Sequence, residues 1–378
     1  MRTLRVAQVA CDDAAPIDAL LAQLGPGPFA LVCLYVSPQA DFAALNRAAQ
    51  GRFGAAEVLA GTTAGEIGTH GYEEAQVIAV GFPAALFCVD CYAIDDLDQL
   101  DAQSTIDAVI HRRVALAQRA PRMVSEFACL MVDGLSMQEE NLASVLSSGM
   151  GAMPLFGGST GDGTEFTTTW LSYNGNIRRN AAVIALVRSH CPVQVFSLDH
   201  LVPTEVRMVV TRADPSRRLV HEINAEPAAA EYARLLGKDP LQLDAFTFAA
   251  HPVVVRLGDS HHVRSIKLVD DDGNLHFFSA INEGMVLTLA EHQDMAEHLE
   301  AGLSALSRDQ APDRILGCDC LLRRTEAGQF QKTRQISDIL ARHRVVGFNT
   351  YGEQFGGLHV NQTLTGVAIY PPLETDAG

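Results

Sequence analysis

The sequence predicts an α/β fold of α+β character: two closely packed domains of mixed β-sheets flanked by helices. Three observations carry that prediction. Apolar runs of strand length, such as FALVCLYV and NAAVIALV, alternate with segments of helical periodicity. One order of elements is written three times: strand, helix, strand, glycine-hydroxyl turn, strand. The stretch from His262 to Ala280 reads as a hairpin, so the sheets are mixed rather than purely parallel. Helix–sheet–sheet–helix layering would bury the apolar sheet faces. The first domain is expected over 25–200 and the second over 215–372, with the boundary near 190–215.

In the first copy, residues 30–36 form a strand and 41–50 a helix. VLAGTTAGEI (58–67) and the strand QVIAVGF (76–82) follow. The second copy has a strand at 127–132, the helix MQEENLASVLSS (137–148), MPLFGGSTGDG (153–163) and the strand AAVIALVRS (181–189). The third has a strand at 314–321, a helix at 335–343, RVVGFNTYGEQ and the strand TGVAIY (365–370). Thr63, Thr160 and Thr350 fall at matching places, each after a short apolar run and a glycine. Glu66 and Glu353 follow their threonines at one offset, where the middle copy has Gly163, with Asp162 one place earlier. Between the second and third copies, VFSLDH and EVRMVVTRA read as strands. Residues 217–237 read as a strand entering a helix that Pro227 starts and Gly237 stops. Residues 246–257, 262–269 and 275–280 read as three strands, and 292–306 as a helix.

Composition limits the function. The net charge of −17, from 28 basic and 45 acidic residues, argues against a nucleic-acid binder, which needs basic surface to neutralise phosphates. A 48% apolar content supports sizeable cores. No apolar run approaches the roughly eighteen residues that span a bilayer, and the N-terminus shows no signal-peptide cleavage pattern. A cytoplasmic protein without membrane insertion is expected. Most of the eight cysteines sit in strand-like runs and read as buried free thiols. Cys88 with Cys91 and Cys318 with Cys320 have knuckle-like spacings, but a zinc site would need them to meet in space.

Several chemistries lack their motifs. GTTAGEIG and GGSTGDGT have no phosphate-loop lysine, and HExxH is absent; residues 157–161, GGSTG, spell G-x-S-x-G, but no nucleophile elbow is read from them. Hydrolysis of small esters or amides would have to use the Thr, Glu and His residues of the turns. The densest polar stretch is VVGFNTYGEQFGGLHVNQT, residues 345–363. If GLHVNQT is extended, His359 and Asn361 share one face. The glycines at 352, 356 and 357 let backbone approach a ligand. Candidate ligand-binding residues of this stretch are Thr350, Tyr351, Glu353, His359 and Asn361, with Thr63 and Glu66 at the matching offsets of the first copy.

AGTTAGEI, GGSTGDG and GFNTYGEQFGGLHVNQT, in this order and spacing, resemble the FIST proteins, which carry an N-terminal and a C-terminal FIST domain. HHVRSIKLVDDDGNLHFFSAINEGMVLTL is similar to the opening of the second domain. The resemblance covers roughly residues 25–372, and its N-terminal motif adds Thr62 to Thr63 and Glu66 among the candidate ligand-binding residues. It implies a non-enzymatic sensor of a small ligand that passes a signal to a histidine kinase or another signalling protein. One stand-alone branch of the family binds haem b and senses nitric oxide. Should that hold here, His359 is the first candidate for the iron ligand, with His262 and His221 behind it. Arg264, Arg323 and Arg324 would be available to the propionates. A cofactor-free adaptor is the remaining alternative.

Overall fold

The computed structural model describes residues 2–257 and 260–372. Its mixed sheets are flanked by helices, and most of the chain is one pattern repeated three times. The first unit contains β1 (Arg5–Ala10), α1 (Pro16–Leu24), β2 (Phe29–Val36), α2 (Phe42–Ala49) and β3 (Glu57–Thr62). The hairpin β4 (Glu66–Gly68) and β5 (Gly71–Glu73) follows, then β6 (Gln76–Pro83). The second unit repeats the order with β7 (Phe87–Ile94), α3 (Ala102–Arg119), β8 (Ser125–Val132), α4 (Glu139–Met150) and β9 (Leu155–Ser159). Its hairpin is β10 (Leu171–Tyr173) and β11 (Asn176–Arg178), before β12 (Ala182–Ser189).

The third unit opens with β13 (Val193–Leu198) and is then interrupted. The inserted segment comprises β14 (Leu201–Asp214), β15 (Leu219–Ile223), β16 (Glu226–Pro227), α5 (Ala228–Leu236), α6 (Ala245–Ala250), β17 (Val253–Leu257), β18 (Ser260–Arg264), β19 (Ile266–Val269), β20 (Leu275–Phe277) and β21 (Val286–His292). The unit resumes with α7 (Met295–Ala305), β22 (Arg314–Cys320), α8 (Leu321–Gln329), α9 (Thr333–Arg342) and β23 (Val345–Thr350). The hairpin β24 (Glu353–Phe355) and β25 (Leu358–Val360) and the strand β26 (Leu364–Ile369) complete it.

The three sheets have one strand order, and each is finished by a hairpin from another unit. The orders are β1-β6-β2-β3-β10-β11, β7-β12-β8-β9-β24-β25 and β13-β26-β22-β23-β4-β5. The second unit thus lends its hairpin to the first, the third to the second, and the first to the third. The sheets share a central core, and the helices lie outside. Cys33, Cys129 and Cys318, each the fifth residue of its central strand, are buried in that core with Tyr35, Phe127, Phe156 and Phe348. Tyr35 and Phe348 stack across units with centroids 4.6 Å apart. Burial pushes the Cys33 thiol up to about 12, so it is inert at neutral pH.

The inserted segment is an antiparallel sheet, β18-β17-β21-β14-β15-β20-β19, with β16 paired to β15. Tyr232 of α5 and Phe248 of α6 join its own apolar core. Pro227 precedes α5 and Gly237, at φ 65°, ends it, as the sequence predicts. Residues 246–257, read from sequence as one strand, are instead a helix followed by a strand. Asp244 starts α6 by accepting the Thr247 N–H at 2.8 Å.

Candidate functional site

The three glycine-hydroxyl turns meet. The residue after each threonine donates its N–H to the carbonyl preceding the threonine of another unit. Ala64 donates to Asn349 at 2.9 Å, Gly161 to Thr62 at 3.0 Å and Tyr351 to Ser159 at 3.4 Å. Thr63, Thr160 and Thr350 are therefore equivalent positions around one axis, all fully buried.

Two of these turns carry a buried carboxyl. Thr63 Oγ1 lies 2.5 Å from Glu66 Oε1, and Glu66 Oε2 accepts the N–H of Gln76, the first residue of β6, at 3.1 Å. Thr350 bonds Glu353 in the same way, and Glu353 Oε2 accepts from the Thr363 hydroxyl at 2.8 Å. Burial is the main cause that raises Glu66 to about 7 and Glu353 to about 8, against the bonds from their threonines. In the second unit Asp133 bonds the strand-start amide, at Asn180, and the Thr169 hydroxyl. Asp162 instead accepts from Tyr351, whose ring stacks on Phe166 at 4.3 Å.

Each unit's hairpin-receiving edge lies near the start of a helix, and the three junctions differ in cover. At the first unit's turn, a 480 Å³ cleft is lined by Ala64, Gly65, Glu66, Glu74, Leu321 and Arg324. Gly65 sits at φ +136°, and a Cβ there would lie 2.2 Å from Arg324 Nη1, so the guanidinium's approach requires glycine. Arg324 Nη1 donates to Asn349 Oδ1 at 2.8 Å. A second cleft, 470 Å³, runs between the start of α2 and the β10–β11 hairpin, with Asp41, Thr62, Asp162 and Trp170 in its wall.

The third junction, between α4 and the β24–β25 hairpin, is covered by the inserted sheet. Arg218 reaches in from that sheet and bonds Glu139 and, at 2.9 Å, Glu140 Oε2. Glu140 Oε1 accepts the Ala280 N–H at 2.7 Å. Ser279 Oγ donates to Asn361 Oδ1 at 2.6 Å, and Arg264 Nη1 donates to the His359 carbonyl at 3.3 Å. His359 is 2% exposed, and its Nδ1 accepts from Gln354 Nε2 at 3.3 Å. Burial holds its imidazole below the ordinary histidine range, against the pull of Glu140. Five buried polar atoms here have no hydrogen-bond partner: Gln354 Oε1, Asn361 Nδ2, Ser265 Oγ and the Nε atoms of Arg218 and Arg264. Three of the five are N–H donors and one is a hydroxyl. An unpaired buried polar atom costs about 1–3 kcal/mol.

The eight residues singled out from sequence thus divide among junctions. Thr62 lines the cleft beside α2 and Glu66 the cleft beside Arg324, with Thr63 buried behind Glu66 and bonded to it. Thr350 and Glu353 close on each other and on Thr363, while Tyr351 pins the second unit's turn. His359 and Asn361 lie together at the covered junction, with both side chains near the Gly352 Cα. Thr350, Glu353 and His359 form no nucleophile–base chain, because His359 meets Gln354 rather than either partner.

The surroundings of His359 do not fit a porphyrin. A Cβ on Gly352 would already lie 2.2 Å from its Cε1, and the adjacent space holds the Arg218–Glu139–Glu140 ion pairs rather than an apolar slot. His221 Nδ1 bonds Asn274 at 2.9 Å on the inserted sheet. Arg264 alone of the three expected arginines is near His359.

All eight cysteines are free, and Cys88 and Cys91 face different cores. Among the described residues, the one grouping able to hold a metal ion is His200, His292 and Glu326. Sequence reasoning did not bring these three together. These residues come from three distant segments with no shared local motif. Arg218, Glu139 and Glu140 were missed for the same reason.

No helix among the described residues is long and apolar enough to cross a membrane. No curated protein matches the chain. The family model of the FIST N domain matches residues 30–226 and that of the FIST C domain matches residues 228–356. With its three-unit body of mixed sheets and its polar turns so matched, the chain belongs to the FIST family, whose domains are non-catalytic small-ligand sensory modules of signalling.

Proposed function

We propose that this chain senses a small anion with several oxygen acceptors, of the carboxylate class, at the covered junction around Gln354, His359 and Asn361. The observation that supports this most is the set of buried, unpartnered and mostly donor atoms gathered there from the hairpin and the inserted sheet. A ligand accepting from Asn361 Nδ2 and the Arg264 Nε–H would satisfy atoms that are otherwise costly. Because the inserted sheet forms one wall, a ligand bound there changes how firmly that sheet seats on the body. Differential affinity for the seated and unseated states is what a signal requires. A histidine kinase or another signalling protein, the partner class implied by the family resemblance, would read that seating.

The test is a thermal-shift screen against small mono-, di- and tricarboxylates, followed by calorimetry. A hit that stabilises the wild type and fails with Asn361→Leu supports the reading. A hit insensitive to Asn361→Leu but lost in Arg324→Ala moves the site to the open cleft beside Glu66. Supplying haem in a parallel sample tests the haem b and nitric oxide branch: a Soret band that shifts with nitric oxide would replace the carboxylate reading.

A further inference from the structure

The chain crosses between the three-unit body and the inserted sheet twice, and both crossings carry a histidine. His200 lies between β13 and β14, on the outward crossing. His292 ends β21, on the return, and is the register partner of Leu201. Facing both is Glu326 of α8, which belongs to the body.

Their donor atoms converge. His200 Nε2 lies 2.9 Å from Glu326 Oε1, His292 Nδ1 lies 2.9 Å from the same oxygen, and the two ring nitrogens are 3.2 Å apart. Ligands on a tetrahedral zinc, with bonds of about 2.0–2.1 Å, sit roughly 3.3 Å from one another. The triangle therefore needs only a slight expansion to seat an ion above its plane. His292 Nε2 donates to the Ala249 carbonyl at 2.8 Å, so Nδ1 is the nitrogen left to bind a cation, and it releases to solvent the proton it shares with Glu326 when it does so. His292 and Glu326 also line a 260 Å³ cavity with Met295, Phe330 and Lys332, which supplies an approach and room for a fourth ligand.

The geometry points to a divalent cation site of the zinc type, formed by His200 Nε2, His292 Nδ1 and Glu326, that clips both crossings of the inserted sheet to the body. This inference does not depend on the ligand reading above. One contact must change for it to load. Arg323 Nη1 lies 2.9 Å from His200 Nδ1, and donation there places the His200 proton on Nε2, facing Glu326. On metal binding, Nε2 gives up that proton and Nδ1 takes one. Arg323 then withdraws toward Asp319, which its Nε already holds at 2.8 Å. No group is oxidised or reduced.

The test uses the full chain, stripped with a chelator and titrated with Co²⁺. One equivalent is expected, with visible ligand-field absorption displaced by Zn²⁺, and Zn²⁺ should raise the melting temperature. His292→Ala and Glu326→Gln should each weaken Co²⁺ binding at least tenfold, whereas His298→Ala should not. Glu326→Gln preserves side-chain shape, so circular dichroism will show whether it remains folded. Substoichiometric Co²⁺ uptake by folded wild type would overturn the inference. So would equal uptake by folded Glu326→Gln, leaving the three residues as a structural ion-pair network.

Discussion

The first and third junctions are the same turn with different fates. At both, a threonine at the axis bonds a glutamate three residues on, and that glutamate accepts from the start of the following strand. At the first, the turn borders an open cleft with Arg324 in its wall. At the third, the inserted sheet has been laid over the hairpin and a second arginine, Arg218, reaches in to neutralise Glu139 and Glu140. The shared threonine–glutamate bond is thus a structural bracket, and recognition chemistry lies in what each junction adds to it. The turn motif marks where a site lies, while the cover decides what it binds.

The largest effect expected from breaking this comparison is at Arg218. Arg218→Ala leaves Glu139 buried without its cation, which should cost about 3–5 kcal/mol, read from the urea midpoint. A loss too small to measure would mean that the sheet is not held by this pair. Next is Gly352→Ala, whose new methyl would lie 2.2 Å from the enclosed His359 ring. Overpacking of this kind costs about 1–3 kcal/mol, and chemical denaturation will show it.

The two glutamates sharpen the comparison through pH. Each is raised in the folded state, so the folded chain binds protons that the unfolded chain has released. The stabilisation is full below the ordinary carboxylate pKa and is lost as pH rises through about 7 for Glu66 and about 8 for Glu353. These two groups therefore contribute a fall in melting temperature as pH rises from 5 to 8, against the rise contributed by buried histidines such as His200 and His359, so the effect is read as wild type minus variant. Glu66→Gln should remove its share of that fall up to about pH 7, and Glu353→Gln its share up to about pH 8, so that only Glu353→Gln alters the slope between 7 and 8. An unchanged profile in both variants would place their titration elsewhere. The smallest effect is at Glu74, whose 78%-exposed side chain meets Arg324 at 3.1 Å. Glu74→Ala should cost less than about 1 kcal/mol in the same denaturation assay, leaving the cleft's fold intact.

Strands such as β2, β8 and β12 were legible because sheet interiors demand unbroken apolar runs, and FALVCLYV and AAVIALVRS supply them. The three-copy order was legible for the same reason, and the meeting of the three turns shows why a threonine recurs after the glycine. The opening strand and helix of each unit were not read as part of the repeat. In the third unit, the inserted segment separates β13 from α7. Helix α8, LLRRTEAGQ, gives little apolar signal, because its buried face includes Arg323 and Glu326. The hairpin exchange was illegible in principle: three-residue strands carry almost no pattern, and pairing Ile67 with Gly347 is a long-range event. The candidate residues were found as polar letters in glycine-rich turns, but nothing local could tell that Glu66 and His359 serve different junctions.

The exchange of hairpins also sets a timetable for synthesis. When the first unit leaves the ribosome, the outer edge of β3 has no neighbour until β10 is made, about 110 residues later. Its own hairpin waits about 280 residues for β23. At about 5–20 residues per second, that last wait is roughly 14–56 s. Until then the nascent chain carries unpaired edges of the kind that recruit other strands. Loss of a short C-terminal stretch containing β24–β26 would take the finishing hairpin from the second sheet and an inner strand from the third, so two of the three sheets depend on the last strands made.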